Sequence, residues 1–386
     1  MTRGSVVALT LTLAALTACA PNRGGTPYAK SVSEARRASN AGRFDEAAAR
    51  FDEAAKNAKL PRDQVFMRYE AALARARAGE VARARQELLA IAQAKPPSAY
   101  AAQAAFKAAE LVADTDAARA NAELEAVMTD FPESGVAQVA LHRLLRKDDE
   151  EGGGPAKALA HLDRLAPQVA GKHLEESVLY ERARRLERLD RTENARDAYL
   201  ACAAKFPYPF GAYNDDSLFR AAEMEEKLGH DKEAIAILER LLAQREKSSM
   251  MGSYERPRYV PALLRIVKIQ EEKLHDRAKA RDSLHRLYSD FQTSPLRDDA
   301  LWREAELWRK DGDASTSCSR LSTLTSDFPD SRYVPCAIDK CPSITRPSKS
   351  KAPKSCHAYL TRDPSTAAPA SGDAGDGASS SESRAP

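Results

Sequence analysis

Small and apolar residues recur along this chain with a period of roughly 37, the signature of a repeat array. A turn-forming residue is followed five positions later by a small one as Gly42 and Ala47, Gly79 and Ala84, Thr115 and Ala120, and Gly153 and Ala158. The series continues as Asp190 and Ala195, Gly229 and Ala234, His275 and Ala280, and Gly312 and Ser317. Subtracting successive turn positions gives spacings of 37, 36, 38, 37, 39, 46 and 37. Seven positions before each turn stand Ala35, Ala72, Ala108, Arg146, Ala183, Ala222, Lys268 and Ala305, six of them alanine. Seven after each small residue come Ala54, Ile91, Val127, Leu165, Cys202, Leu241, Leu287 and Leu324. Pro96, Pro132, Pro207 and Pro329 stand seventeen after the turn in four units. Each unit therefore predicts two antiparallel helices joined by a tight turn, with small residues where the helices cross. Proline ends the second helix because it cannot continue it.

This pattern of small residue, Gly, Ala, Ala and Pro over Ser31 to about Pro335 resembles the tetratricopeptide repeat. Asp215-Asp216-Ser217-Leu218-Phe219-Arg220-Ala221-Ala222-Glu223-Met224 also parallels Asp298-Asp299-Ala300-Leu301-Trp302-Arg303-Glu304-Ala305-Glu306-Leu307. The units exceed the usual length of about 34 residues and mostly lack the Trp and Tyr of the first helix. Longer units ending in Thr129-Asp130-Phe131-Pro132-Glu133-Ser134 and Ser326-Asp327-Phe328-Pro329-Asp330-Ser331 resemble one branch of the family. That branch includes the lipoprotein of the outer-membrane β-barrel assembly machinery and the division coordinator of the Tol-Pal system. The fold expected is all-α, a right-handed superhelical solenoid of about eight helical hairpins over residues 31–335, whose groove takes segments of other proteins.

Ahead of the array, Met1-Thr2-Arg3 and the stretch from Val6 to Leu16, broken only by threonines, read as an export signal over residues 1–18. The apolar stretch is too short to span a bilayer. Leu16-Thr17-Ala18-Cys19 resembles the bacterial lipobox, which implies acylation of Cys19. Ala18-Cys19-Ala20 also fits an ordinary A-x-A cleavage site. The lipobox reading makes residues 19–30 a lipidated tether, and Ala20 after the cysteine favours the outer membrane, facing the periplasm.

Composition narrows the function further. The chain is 43% hydrophobic, 30% charged and 6% aromatic with a net charge of +3. That leaves no basic stripe for nucleic acid. No H-E-x-x-H, G-x-x-x-x-G-K or G-x-S-x-G motif is present, so neither an enzyme nor a cofactor or small-molecule substrate is expected. Gly152-Gly153-Gly154-Pro155 lacks the Lys-Ser or Lys-Thr of a phosphate loop and reads as a linker into a helix. The acidic pairs Asp215-Asp216 and Asp298-Asp299 read as helix caps. The seven histidines have no ligand spacing, and His275 and His285 read as surface residues of a helix.

Cys202 and Cys318 fall at inward helix positions and read as small buried hydrophobes. Cys336, Cys341 and Cys356 follow the last repeat in an exported chain, and a disulfide between two of them is expected, within a C-terminal cap over residues 336–360. No metal site is expected there, since adjacent Cys356 and His357 would strain a tetrahedral geometry. The inserted stretch with Met250, Met251, Tyr254, Arg256, Arg258 and Tyr259 is either a partner-binding loop or a loop folded back on the array. Arg346, Lys349, Lys351 and Lys354 form a basic segment that reads as a solvated linker or a contact for lipid headgroups or cell-wall polymer. Residues 361–386, rich in Ser, Ala, Gly and Asp, are expected to be a disordered tail. The function expected is a non-enzymatic assembly scaffold of the outer membrane, partnered by other envelope proteins; the alternative is an accessory that binds peptidoglycan or other glycans.

Overall fold

The structure, a computed structural model, describes residues 25–150, 154–246 and 256–360. The expected signal, Cys19, Met250, Met251, Tyr254 and the 361–386 tail lie outside the described residues. Among the described residues the chain is all-helical without strands, and it divides into two compact units at the boundary between Ser217 and Leu218.

The first unit holds α1 (Gly25–Asn40), α2 (Phe44–Asn57), α3 (Pro61–Arg77), α4 (Val81–Gln93) and α5 (Ala101–Glu110). It continues with α6 (Ala117–Asp130), α7 (Gly135–Glu150), α8 (Gly154–Leu165), α9 (Leu174–Arg188) and α10 (Thr192–Lys205). The helix α11 (Asn214–Lys227) runs across the boundary. The second unit adds α12 (Asp231–Leu242), α13 (Tyr259–Lys268), α14 (Arg277–Asp290), α15 (Arg297–Lys310), α16 (Ala314–Asp327) and α17 (Val334–Lys340). Helices α1 to α16 form eight consecutive hairpins, and a neighbouring hairpin supplies the apolar surface that each one needs.

The turns explain the hairpins. Gly42, Gly79, Gly229 and Gly312 have φ of 75°, 93°, 79° and 83°. That is the left-handed region, where a side chain is penalised. Asp190 and His275 take φ of 54° and 53° at the equivalent positions despite carrying side chains. His275 is thus a turn residue, not the surface residue of a helix. Where the helices cross, Ala47, Ala84, Ala158, Ala195, Ala234, Ala280 and Ser317 are fully buried. Leu88, Leu124, Leu162, Leu238, Leu284 and Leu321 fill the second helices one turn further on.

Two units depart from the expected register. Arg146 and Lys268 are exposed, whereas Leu145 and Val267, one residue earlier, are buried. In six units the two small residues stand twelve apart, as in Ala35 and Ala47; Leu145 and Ala158 stand thirteen apart, as do Val267 and Ala280. In the latter pair a π-helical turn over Ile269–Lys273 absorbs the extra residue.

The first helix also begins earlier than the expected tether allows. Residues 25–30 are helical, Pro27 lies in the first turn where its missing N–H costs nothing, and Tyr28 is buried against the first hairpin core.

Candidate partner-binding surface

Among the described residues, α1, α3 and the residue preceding α5 enclose an open cleft of about 620 Å³. Its floor is apolar, from Tyr28, Val32, Phe66, Met67 and Tyr100, and its walls carry Arg36, Arg37, Arg62 and Asp63. The rings of Phe66 and Tyr100 are stacked with centroids 5.0 Å apart, and Tyr69 stacks behind them at 5.8 Å from Tyr100. Burial pushes the Tyr69 hydroxyl up to about 12, helped by the carboxylates of Glu70 and Glu110. Burial likewise raises Glu70, opposed by the guanidinium groups of Arg77 and Arg36.

Arg36, Arg37 and Arg62 are exposed, so the cleft is basic at its mouth. Arg62 Nε stands 3.5 Å from Asp63 Oδ1, while the buried Asp63 Oδ2 has no hydrogen-bond partner. An unpaired carboxylate oxygen at that depth carries a desolvation cost, and it lies too deep for a segment bound in the cleft to reach. The cleft therefore fits an extended segment that brings acidic side chains to the arginines and an apolar group to the floor.

The described end of the inserted stretch folds back on the second unit, the second of the two readings above. Of its described residues, Tyr259 is 1% exposed at the start of α13, so it belongs to the core and not to an interface. Arg258 lies over the Phe219 ring at 5.0 Å, which Arg265 covers from 5.7 Å. Such a cation over a ring face is held by the ring's own charge distribution. Arg256 is half-buried.

One expected pairing among the C-terminal cysteines forms, and a second bridge reaches back into the last hairpin. Cys318 in α16 is bonded to Cys341, and Cys336 in α17 is bonded to Cys356. Cys318 is therefore a bridge residue, because α17 returns along the last hairpin and brings Cys341 to it. Cys202 is a buried free thiol, and burial pushes it up to about 11, which makes it inert as a nucleophile.

The basic segment lies down on this end of the chain. Arg346 Nη1 donates to the Ala352 carbonyl at 3.0 Å, and the Lys351 amide donates to Asp330 Oδ1 at 2.6 Å. Val334, Cys336, Ala337, Cys341, Ile344 and Ala352 share one core with Leu301, Trp302, Leu321 and Leu324.

The acidic pairs sit within the first turns of α11 and α15, two and three residues past the capping position. Asp298 Oδ2 accepts from Ser331 Oγ at 2.6 Å, and Asp299 Oδ1 accepts from Arg332 and from the Tyr333 hydroxyl, each at 2.6 Å. This pair ties the following segment to α15. Caps come instead from Asp116, Asp276 and Asp313, which accept from the amides of Arg119, Lys279 and Thr316 at 3.0, 3.0 and 2.9 Å. Such side chains satisfy amides that the first helical turn leaves free. Each follows a turn residue directly, as in Thr115-Asp116 and Gly312-Asp313, which is the signal that sequence reasoning overlooked.

His285 Nδ1 lies 3.2 Å from the buried Glu304, which also takes Arg320 Nε at 2.7 Å. No cluster of three or more metal-ligating side chains occurs among the described residues. No described helix is long and apolar enough to cross a membrane.

A tetratricopeptide-repeat family model matches residues 216–248, which include most of the sixth hairpin. Among solved structures, the chain is similar to kinesin light chain TPR-like repeats of Podosopora anserina at 15% identity, over 49% of this chain and 93% of that one, with a TM-score of 0.36. It is also similar to a tetratricopeptide repeat protein of Parabacteroides merdae at 11% identity, over 72% of this chain and 98% of that one, with a TM-score of 0.30. No curated protein matches the chain by sequence.

Proposed function

We propose that this protein is a non-enzymatic scaffold lipoprotein of the bacterial outer membrane, facing the periplasm and anchored through an acylated Cys19. Its first-helix cleft holds an acidic segment of another envelope protein and so supports an envelope machine for outer-membrane protein assembly, secretion, motility or division. The single observation that carries the reading is the cleft itself, an apolar floor under three exposed arginines. The two disulfides support export, since such bridges persist in oxidising compartments. The resemblance of Leu16 to Cys19 to a lipobox supports the anchor.

A glycan-binding role calls for aromatic faces arrayed along the first helices. Phe66 and Tyr100 instead turn a face toward each other, and of the exposed rings among the described residues Phe210 lies in the connection before α11 and Tyr359 in a short helical turn over Ala358–Leu360.

The test combines two variants of the full chain in its own cells. Cys19→Ser is expected to leave the membrane fraction or remain unprocessed. Arg36→Glu with Arg37→Glu is expected to lose, in a crosslinking pulldown from intact envelopes, a partner that the wild type captures. Undiminished acyl labelling of the first variant, or identical captures by the second, would overturn the corresponding half of the proposal.

A further inference from the structure

The connection between α10 and α11 differs from its counterparts elsewhere in the chain. The three others that begin with phenylalanine read Phe131-Pro132-Glu133-Ser134, Phe291-Gln292-Thr293-Ser294 and Phe328-Pro329-Asp330-Ser331, each with polar residues close behind it. Here the chain reads Phe206-Pro207-Tyr208-Pro209-Phe210-Gly211-Ala212-Tyr213, eight residues without a charged group in a sequence that is 30% charged. Phe210 is 92% exposed, the most exposed large hydrophobic side chain among the described residues.

The loop beneath that ring is built, not slack. The amides of Phe210 and Gly211 donate to the Pro207 carbonyl at 3.1 and 3.0 Å. Asn214 Nδ2 donates to the carbonyls of Ala203 and Phe206 at 2.9 and 3.1 Å, and the Tyr213 amide donates to Glu176 Oε1 at 2.8 Å. Tyr213 is stacked on Tyr180 with centroids 4.3 Å apart. Gly211 approaches the Phe206 carbonyl so closely that a Cβ there would overlap its oxygen, so only glycine fits. The backbone that carries the ring is held in place, so a partner has little more than the side chain left to order.

We infer that Phe210 is a docking anchor that inserts into an apolar pocket on a partner protein, independently of the α1–α3 cleft. Charge argues for a protein pocket over a lipid surface. The loop has no Lys or Arg to meet anionic headgroups, and Lys205 at its base is paired with Glu175. Glu176, at the same base, adds negative charge. A single phenylalanine is also too little apolar area to hold a protein on a bilayer, whereas one ring in a fitted pocket dominates a protein interface.

The experiment uses the full chain with Phe210 replaced by the photo-crosslinker benzoylphenylalanine, and with Glu133 replaced likewise as the control from a polar connection. A discrete adduct with a second protein is expected at 210 and not at 133. That protein, once purified, is expected to bind Phe210→Ala at least about 30-fold more weakly than wild type, with Phe210→Leu close to wild type. Circular dichroism of both variants checks that helix content is unchanged. An adduct of the chain with itself would assign the surface to self-association and overturn the inference. So would loss of sedimentation with phosphatidylglycerol vesicles in Phe210→Ala without a protein adduct, or equal partner affinity for all three forms.

Discussion

Tyr333 lies on Trp302, ring centroids 4.8 Å apart and planes 14° from parallel, and its hydroxyl donates to Asp299 Oδ1 at 2.6 Å. The same relation joins Tyr100 to Phe66 and Tyr213 to Tyr180. In each case an aromatic residue just before a helix rests on the first helix of the preceding hairpin, so the stack sets how one repeat meets the next. At the C-terminal end it also fixes where α17 begins.

Removing that stack should loosen the end of the second unit. Tyr333 is 6% exposed. Tyr333→Ala is therefore expected to cost about 3 to 5 kcal/mol and Tyr333→Phe about 1 kcal/mol, the latter for the hydrogen bond alone. The only two tryptophans, Trp302 and Trp308, both lie in α15, so fluorescence during urea unfolding reads this region selectively. Equal midpoints for Tyr333→Ala and wild type would show that the stack holds nothing.

A pH dependence follows from the same hydroxyl. Burial raises the Tyr333 pKa above its ordinary value of 10, and the Asp299 carboxylate raises it further. The folded state therefore keeps a proton that the unfolded chain gives up. The contribution is complete below pH 10 and declines as pH rises above it. The fluorescence-detected midpoint is expected to fall between about pH 9 and 11 more steeply in wild type than in Tyr333→Phe. Parallel profiles would contradict it.

The bridges Cys318–Cys341 and Cys336–Cys356 close loops with sequence separations of 23 and 20. On a chain-entropy account each is worth about 3 kcal/mol. Mass spectrometry of the full chain prepared without reductant is expected to find these two bridges and a free Cys202. Reduction should release the segment after Ser331 to proteolysis before any hairpin of the first unit. Three free thiols at 336, 341 and 356 would remove the stapled terminus from the account.

Much of the repeat was legible because its geometry leaves few options. Only a residue tolerant of positive φ fits the turn, only a small one fits the crossing, and Gly229 with Ala234 shows both rules five positions apart. Counting failed where a residue was inserted within a helix, as at Lys268, since a π-helical turn leaves no mark on composition. Cys318 carried the wrong reading because a buried thiol and a half-bridge look alike until a distant segment is brought alongside. The cleft was illegible for a similar reason: its arginines lie on α1 and α3, and no local pattern links Arg36 to Phe66 or Tyr100. Phe210 escaped notice because its meaning lies in contrast with the polar connections that begin at Phe131, Phe291 and Phe328.

The crossing itself is open to a direct test. Ala234 is fully buried in α12. Ala234→Leu is expected to cost about 1 to 3 kcal/mol by forcing the helices apart. Thermal unfolding followed by circular dichroism measures it, and an unchanged midpoint would place Ala234 off the contact.

Hydrogen exchange of the full chain, with and without the partner captured from envelopes, tests the central claim most directly. The account predicts added protection in Gly25–Asn40 and Pro61–Arg77, the helices that wall the cleft, and its loss with Arg36→Glu and Arg37→Glu. Protection that spares both helices while the partner is bound would contradict it.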